Sequence, residues 1–468
     1  MTERAFSATG KAILAGGYLV LFPEYRALVV ALSARMHALT HAVETNGSGN
    51  FTITVKSPQF LNGLWSYNVD IQEYITKGLN SAVSELHGKR NPFVEATIWT
   101  IIGYVIGTGL VTTESVSKKI TITMFSDPEY HSQEGATEKF SKNHACRFLF
   151  HHDEITKVPK TGLGSSAGLV TSLTAALLSV FVENFNINDP VQNWKSKIHR
   201  LAQIAHCKAQ GKIGSGFDVV SATFGSIIYQ RFEPSIITEV LESADGSLKQ
   251  LSNIVDMQEW NMTHDMCALP PGIRLLMGDV KGGSETPKMV SQLLKWRQLE
   301  PDKCGEVWFN LNQSNNNLMD GLKELSDLSL SKPNVYNQIL QQFSSHKPNQ
   351  IFSNPQVESD SIKKIVSAIK HIRENLQILT REANVAIEPE SQTLLLNTVS
   401  DINGVFGGVV PGAGGYDAIC VLVVSSEVEK IKDISLENPI FQNVRWMDLT
   451  EQKVGLIEEK ASDFADLV

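Results

Sequence analysis

Apolar residues dominate the start of the chain: residues 12–22 are almost wholly apolar, and residues 28–44 continue the pattern up to the polar cluster Asn46-Gly47-Ser48-Gly49. Immediately after it, Phe51-Thr52-Ile53-Thr54-Val55 alternates with period two, as a strand with one buried face does. An Asn-Gly pair between two such runs predicts a hairpin, so the chain is expected to begin as β-sheet. Residues 119–124 again alternate as a strand, whereas residues 71–85 and 93–103 fit helix and strand equally well. Residues 127–144 turn polar around Gly135 and predict a long exposed loop.

The period then changes. Residues 168–182 are small and apolar, and Asp189-Pro190 opens a second helix whose Trp194, Ile198, Leu201 and Ala205 share one face, with Gly211 placed as its C-terminal cap. A short glycine loop, residues 212–216, leads to Phe217-Asp218 and a β-rich stretch at 226–232. Residues 233–267 are polar and poorly periodic, which predicts a passage between two domains, 1–262 and 263–468. Beyond it come a strand at 274–280, a helix at 287–297, a polar stretch at 331–360, a long helix at 361–382 and a glycine-rich hairpin ending in 418–424. Runs of strand and helix that do not alternate strictly predict an α+β architecture rather than a doubly wound parallel sheet. At 468 residues the chain exceeds what one core usually serves, in keeping with two domains.

Composition narrows the function classes. Hydrophobic residues make up 42% and charged residues 19%, the balance of a globular protein. The formal net charge is -9 with no long Lys/Arg run, which argues against nucleic-acid or anionic-membrane partners; anionic substrates would need a local basic pocket. Cys146, Cys207, Cys267, Cys304 and Cys420 are scattered and form no CxxC pair, so neither a disulfide framework nor a zinc ribbon is expected. The N-terminal residues lack the order of a secretory signal and no apolar run reaches about 20 residues, which predicts a cytoplasmic protein. His151-His152-Asp153, and His144 with Cys146, lack further ligands at metal-site spacing and read as solvated loop.

Five segments carry candidate chemistry. In Pro159-Lys160-Thr161-Gly162-Leu163-Gly164-Ser165-Ser166-Ala167 the glycines allow close backbone approach, and the following helix offers free N–H groups and its positive dipole end. This is a phosphate cradle in which Ser165 and Ser166 either cap the helix or reach a phosphate-bound Mg2+; a plain glycine turn with a serine cap is the alternative. It is neither a G-x-x-x-x-G-K-[ST] loop, since Gly211-Lys212 is followed by Ile213, nor a Rossmann G-x-G-x-x-G. Lys11 enters a strand from Gly10, and Tyr18 follows across Gly16-Gly17; together they can face phosphate oxygens, although a lysine at a strand end is more often solvated. Asp218, after Gly214-Ser215-Gly216, can orient a nucleophile, accept a proton, or merely cap the next element. Ser284 and Thr286, before Pro287, mark a helix start that is either an ordinary cap or a second anion site. Gly412-Ala413-Gly414 lies in a glycine hairpin that gains meaning beside the other loops.

In this order the motifs resemble the superfamily of galactokinases, homoserine kinases, mevalonate kinases and phosphomevalonate kinases, the GHMP kinases. KTGLGSSAGL (160–169) is similar to its central phosphate loop, KAILAGGYLVLF (11–22) to its N-terminal motif and VVPGAGGYDAI (409–419) to its C-terminal glycine motif. The wording of these segments, with LSARMHA (32–38), GKIGSGFDVVSA (211–222) and LLMGDVKGGSETPKMV (275–290), is most similar to phosphomevalonate kinases of fungal and plant type. The resemblance implies an N-terminal domain like ribosomal protein S5 domain 2 and a ferredoxin-like C-terminal domain, with the site between them. It also implies ATP with Mg2+ as co-substrate and phosphorylation of 5-phosphomevalonate in isoprenoid synthesis. Lys11 and Asp218 would form the reaction centre; Lys160, Gly162, Leu163, Gly164, Ser165, Ser166 and Ala167 would hold the nucleotide; Tyr18, Gly412, Ala413 and Gly414 would line the acceptor site, with Ser284 and Thr286 added on local chemistry. Two positions depart from mevalonate kinases: Gly17 stands where they usually carry Glu, and Cys207 replaces an acidic metal ligand, leaving the phosphates and water to complete the magnesium shell. Lys160, Arg35 and Lys281 are equal candidates for further acceptor charge. A sister kinase acting on an alcohol, or a binding protein that kept the fold without turnover, are the alternatives.

Overall fold

A computed structural model describes residues 3–142, 146–242, 248–283, 286–353 and 359–467. Among the described residues the strands are β1 (Arg4–Ala15), β2 (Arg26–Ser48), β3 (Asn50–Lys56), β4 (Leu64–Asp70), β5 (Val83–His87), β6 (Val116–Ser126), β7 (Thr137–Phe140), β8 (Arg147–Phe150), β9 (Ile227–Gln230), β10 (Thr263–Met266), β11 (Ile273–Val280), β12 (Val405–Val409), β13 (Ala418–Val424), β14 (Val444–Trp446), β15 (Glu451–Gln452) and β16 (Ile457–Glu459). They form a large sheet in the order β10-β9-β2-β6-β3-β4-β5, joined by β1, β15 and β16, a four-stranded sheet in the order β12-β13-β11-β14, and the ribbon β7-β8.

The continuous apolar character of β1 and β2 has a direct cause: both faces are covered. Phe6, Ala8 and Ala38 face a core built with helices Pro92–Gly107, Ser165–Phe181 and Trp194–Gln210, while Ala12, Leu14, Val30 and Leu32 join a second core with helices Pro301–Ser331 and Asp360–Glu382. The strand expected over 12–22 starts earlier and stops at Ala15; Gly16-Gly17 and Tyr18, at φ 63°, break it before the single turn Leu19–Leu21.

The expected hairpin across Asn46-Gly47 does not form. Strand β6 lies between the two runs, antiparallel to β2 and parallel to β3. Its Ile120, Ile122 and Met124 fill the helix-facing core alongside Ile53 and Val55, and that burial outweighs local turn chemistry. The exposed loop expected over 127–144 is also partly structured, with buried Tyr130 and His131 and with β7 paired to β8.

The predicted passage at 233–267 is instead part of the first core. Helices Ser235–Glu242 and Leu248–Asp256 dock Ile236, Ile237, Val240, Leu251, Ile254 and Val255 there. Each is too short for its periodicity to stand out from sequence. In the second half, helix Asp360–Glu382 and the antiparallel pair β12-β13 occur where expected. Helix Pro301–Ser331 was not anticipated, and the polar stretch 331–360 contains helix Pro333–Ser344, which buries Tyr336, Leu340 and Phe343.

The chain ends on the large sheet: β15 pairs with β2 and β16 with β1, while Phe464 and Leu467 close over Phe125 and Phe148. Here His37 lies between Glu459 (2.8 Å) and Asp127 (3.0 Å). Burial alone would lower its pKa, but the two carboxylates prevail and push it up to about 9.

Candidate active site

Lys11 leaves β1 toward the phosphate loop. Its backbone N–H donates to the Leu163 carbonyl (3.0 Å) and its ammonium to the Gly162 carbonyl (3.0 Å), 5.4 Å above the Phe217 ring. The residue is half-buried; desolvation lowers its pKa and the Asp218 carboxylate opposes that shift. Gly164 has φ 82°, a backbone conformation that favours glycine, and a Cβ there would lie 3.0 Å from Lys11 Cε, so a larger residue would be strained and would push the lysine chain aside. Ser165 and Ser166 follow as the first residues of helix Ser165–Phe181, whose opening amides and dipole favour an anion.

Asp218 sits in the first turn of helix Phe217–Phe224, with Oδ1 accepting from Val219 N (3.0 Å). Its Oδ2 is 3.8 Å from His206 Nε2, and that same nitrogen is 3.0 Å from Ser166 Oγ. The structure therefore places Lys11, Ser166 and Asp218 together. His206 escaped the sequence reading: it lies one turn from the end of helix Trp194–Gln210, which Gly211 caps at φ 64°.

On one side of the phosphate loop opens a cleft of about 230 Å³ with Lys11, Tyr18, Gly162, Thr286, Ala413 and Asp417 among its lining residues. Gly412 and Gly414 line it too, while Ser284 lies outside the described residues. The Tyr18 hydroxyl donates to the Ala413 carbonyl (2.6 Å), and burial raises its pKa, keeping it a donor. Gly17 faces Gly412 so closely that a Cβ would come within 2.9 Å of that carbonyl oxygen; a glutamate side chain has no room here. Among the described lining residues Lys11 is the only basic one. Arg35 is spent on Ser7 Oγ (2.6 Å), Ser7 O (3.0 Å) and Gly455 O, and Lys281 pairs with Glu134 on the surface (3.0 Å).

On the other side lies a cavity of about 270 Å³, with Val55, Phe60, Trp65, Phe93 and Leu169 as apolar walls and Lys160, Ser165 and Ser166 also in its lining. Its shape and chemistry suit a purine whose phosphates reach the loop. Asn91 caps helix Pro92–Gly107 by accepting from Phe93 N (3.2 Å) and Val94 N (3.3 Å), which sets Phe93 at the cavity wall. Lys160 also borders the loop, and burial lowers its pKa. His151 stacks on Phe60, 5.2 Å between ring centres, and His144 lies outside the described residues.

Residues 135–226 match the family model "GHMP kinases N terminal domain". The chain is 44% identical to a phosphomevalonate kinase of Candida albicans, covering 99% of this chain and 100% of that protein. It is 30% identical to a peroxisomal phosphomevalonate kinase of Arabidopsis thaliana, over 91% of this chain and 90% of the relative. Its fold is similar to that of Streptococcus pneumoniae phosphomevalonate kinase in complex with phosphomevalonate and AMPPNP, with TM-score 0.58, 16% identity, and coverage of 96% of this chain and 99% of the other. Full-length identity at this level, on a chain whose glycine loops, lysine and aspartate meet between two cavities, leads to one conclusion: it belongs to the phosphomevalonate kinase family of GHMP kinases.

Proposed function

We infer that the protein transfers the γ-phosphoryl of ATP to the phosphate of 5-phosphomevalonate, yielding 5-diphosphomevalonate and ADP in the mevalonate route to isoprenoids. The observation that carries this reading is the placement of Lys11, bonded to the Gly162 carbonyl, where the phosphate loop meets the acceptor cleft. The purine would occupy the cavity walled by Trp65 and Phe93, the triphosphate would cross the loop at Ser165 and Ser166, and the acceptor would lie against Tyr18, Thr286 and Ala413.

An acceptor phosphate monoester has a second pKa near ~6, so at neutral pH its attacking oxygen is largely ionised without a strong base. The barrier is then the approach of two anions. Two unit charges about 4 Å apart repel by roughly 4 kcal/mol at an effective dielectric near 20, and an ammonium between them offsets such a term. Lys11 supplies that charge; desolvation lowers its pKa and the Asp218 carboxylate opposes that loss of charge.

Mg2+ suits the hydroxyl donors Ser165 and Ser166, which are hard oxygen ligands, whereas the described residues hold no group of three His, Cys, Asp or Glu side chains at metal spacing. The ion would therefore arrive with the nucleotide and neutralise its phosphate oxygens. A cytoplasmic location is part of this reading; among the described residues no helix is long and apolar enough to cross a membrane.

Coupled ADP release measured with 5-phosphomevalonate, mevalonate and galactose tests the assignment. Turnover restricted to the first is expected; faster turnover with either alcohol would overturn it.

A further inference from the structure

We propose that His206 is a positioning residue for phosphoryl transfer, holding the phosphate-loop hydroxyl of Ser166 beside the reaction-centre carboxylate of Asp218. The proposal rests on the kinase reading above and concerns a residue with no part in it so far.

The His206 side chain is almost wholly buried, with 4% exposure, one turn before the end of its helix. One face of its ring packs against Phe93, 5.6 Å between centres, and Phe93 borders both the apolar cavity and the loop. Its Nε2 lies within hydrogen-bond distance of Ser166 Oγ (3.0 Å) and Gln210 Nε2 (3.4 Å), while Asp218 Oδ2 stands 3.8 Å away, near but beyond a direct hydrogen bond. A residue serving only to fill space would need none of these polar contacts.

The physical consequence concerns rotamers. A serine hydroxyl on a first helical turn has three staggered positions, and an aspartate on another helix turns freely about χ1 unless held. Asp218 Oδ1 accepts from Val219 N, and the His206 ring borders both the second carboxylate oxygen, 3.8 Å away, and Ser166 on the loop. A Ser166 Oγ that accepts from Nε2–H keeps its own proton for a phosphate oxygen rather than for a carbonyl of its helix. Pre-set geometry of this kind acts on the transition state, where reacting groups must be held within fractions of an ångström, more than on ground-state binding.

The test compares His206→Leu, which keeps bulk and removes the contacts, with His206→Gln, which restores a polar group at similar reach. Partners that orient first-contact groups typically cost about 10–100-fold when removed, so the Leu variant should lose that much kcat with KM for both substrates within about threefold, and Gln should recover most of it. Calorimetric binding of a non-hydrolysable ATP analogue reports separately that each variant is folded. Combined with Ser166→Ala, the His206→Leu loss should be much smaller than the product of the single losses, because the two substitutions break one link. If His206→Leu does not bind the analogue, the cycle is run with His206→Asn, whose amide falls short of Ser166. Turnover of a folded Leu or Asn variant within about twofold of the native enzyme, equal losses in the Leu and Gln variants, or fully multiplicative losses in the cycle each overturn the proposal. A native protein that releases no ADP with 5-phosphomevalonate refutes the kinase reading itself, a result distinct from all of these.

Discussion

Replacing Lys11 by methionine isolates the charge from the side chain's bulk. The methionine can follow the same path beside Gly164 and keep contact with the Phe217 ring, which the ammonium overlies at 5.4 Å, so packing is conserved while the cation is lost. Two costs follow. The acceptor and γ-phosphates must meet without a shared cation, a term of about 4 kcal/mol for unit charges near 4 Å at an effective dielectric of 20. The Asp218 charge, which now opposes desolvation of Lys11, would instead face the incoming anions directly. The first term alone corresponds to a loss of about a thousandfold in kcat. ATP binding, which the proposed function assigns to the apolar cavity and the loop amides, should weaken far less. Stopped or steady-state ADP release gives kcat, and calorimetry with a non-hydrolysable analogue gives nucleotide affinity. A variant that keeps kcat within about tenfold of native, or whose defect lies wholly in nucleotide affinity, would show that Lys11 is not the bridging charge.

Asp218→Asn should lower kcat by roughly 10–100-fold, less than the loss of an obligate base, because the acceptor is already ionised; turnover at background would restore general-base catalysis. Gly164→Ala forces a side chain into φ 82° and to 3.0 Å from Lys11 Cε. It should reduce kcat strongly while lowering stability by only about 1–2 kcal/mol in denaturant titration, and native activity would contradict the close packing of loop and lysine. Stability should also depend on His37: its folded pKa of about 9 exceeds its ordinary value, so its contribution, at most about 3 kcal/mol, is complete below pH ~6.5 and lost as pH rises through ~9. Glu459, whose pKa is lowered chiefly by its bond to His37 against the cost of burial, acts oppositely and is lost in acid. Thermal unfolding at pH 7 and pH 9.5 should show a fall in Tm that His37→Gln largely abolishes; an unchanged fall would sink this account.

Site residues that lie together in the sequence were legible, and those brought together only by folding were not. The loop at 160–167, Lys11 beside Gly10 and Asp218 after Gly216 announce themselves because glycine next to a hydroxyl, cation or carboxylate specifies local backbone chemistry within a few residues. His206 stands 40 positions from Ser166, on a helix whose other buried residues are mostly apolar, and nothing local distinguishes it from a core histidine. Trp65 and Phe93 likewise look like core aromatics until the strand and helix that carry them leave a gap between them. The same limit explains the fold. Helix Asp360–Glu382 is long enough to display its period, whereas the insertion of β6 between β2 and β3 depends on partners more than 60 residues away along the chain. Among the candidate cations, only burial and pairing could separate Arg35 and Lys281 from Lys11, and both are tertiary facts.

The return of the chain to its first sheet has a consequence for biosynthesis. On a ribosome β1 and β2 emerge early and can zip together, but among the described strands the outer edge of β1 at Ala5–Ser7 has no partner until β16, more than 400 residues later, is released. Until then the nascent protein carries a short bare strand edge at Ala5–Ser7, the kind of template on which chains aggregate. The Lys11 end of that strand is closed far sooner, once Leu163 arrives to accept its N–H, so the phosphate-loop contact can form while the Ala5–Ser7 edge still waits.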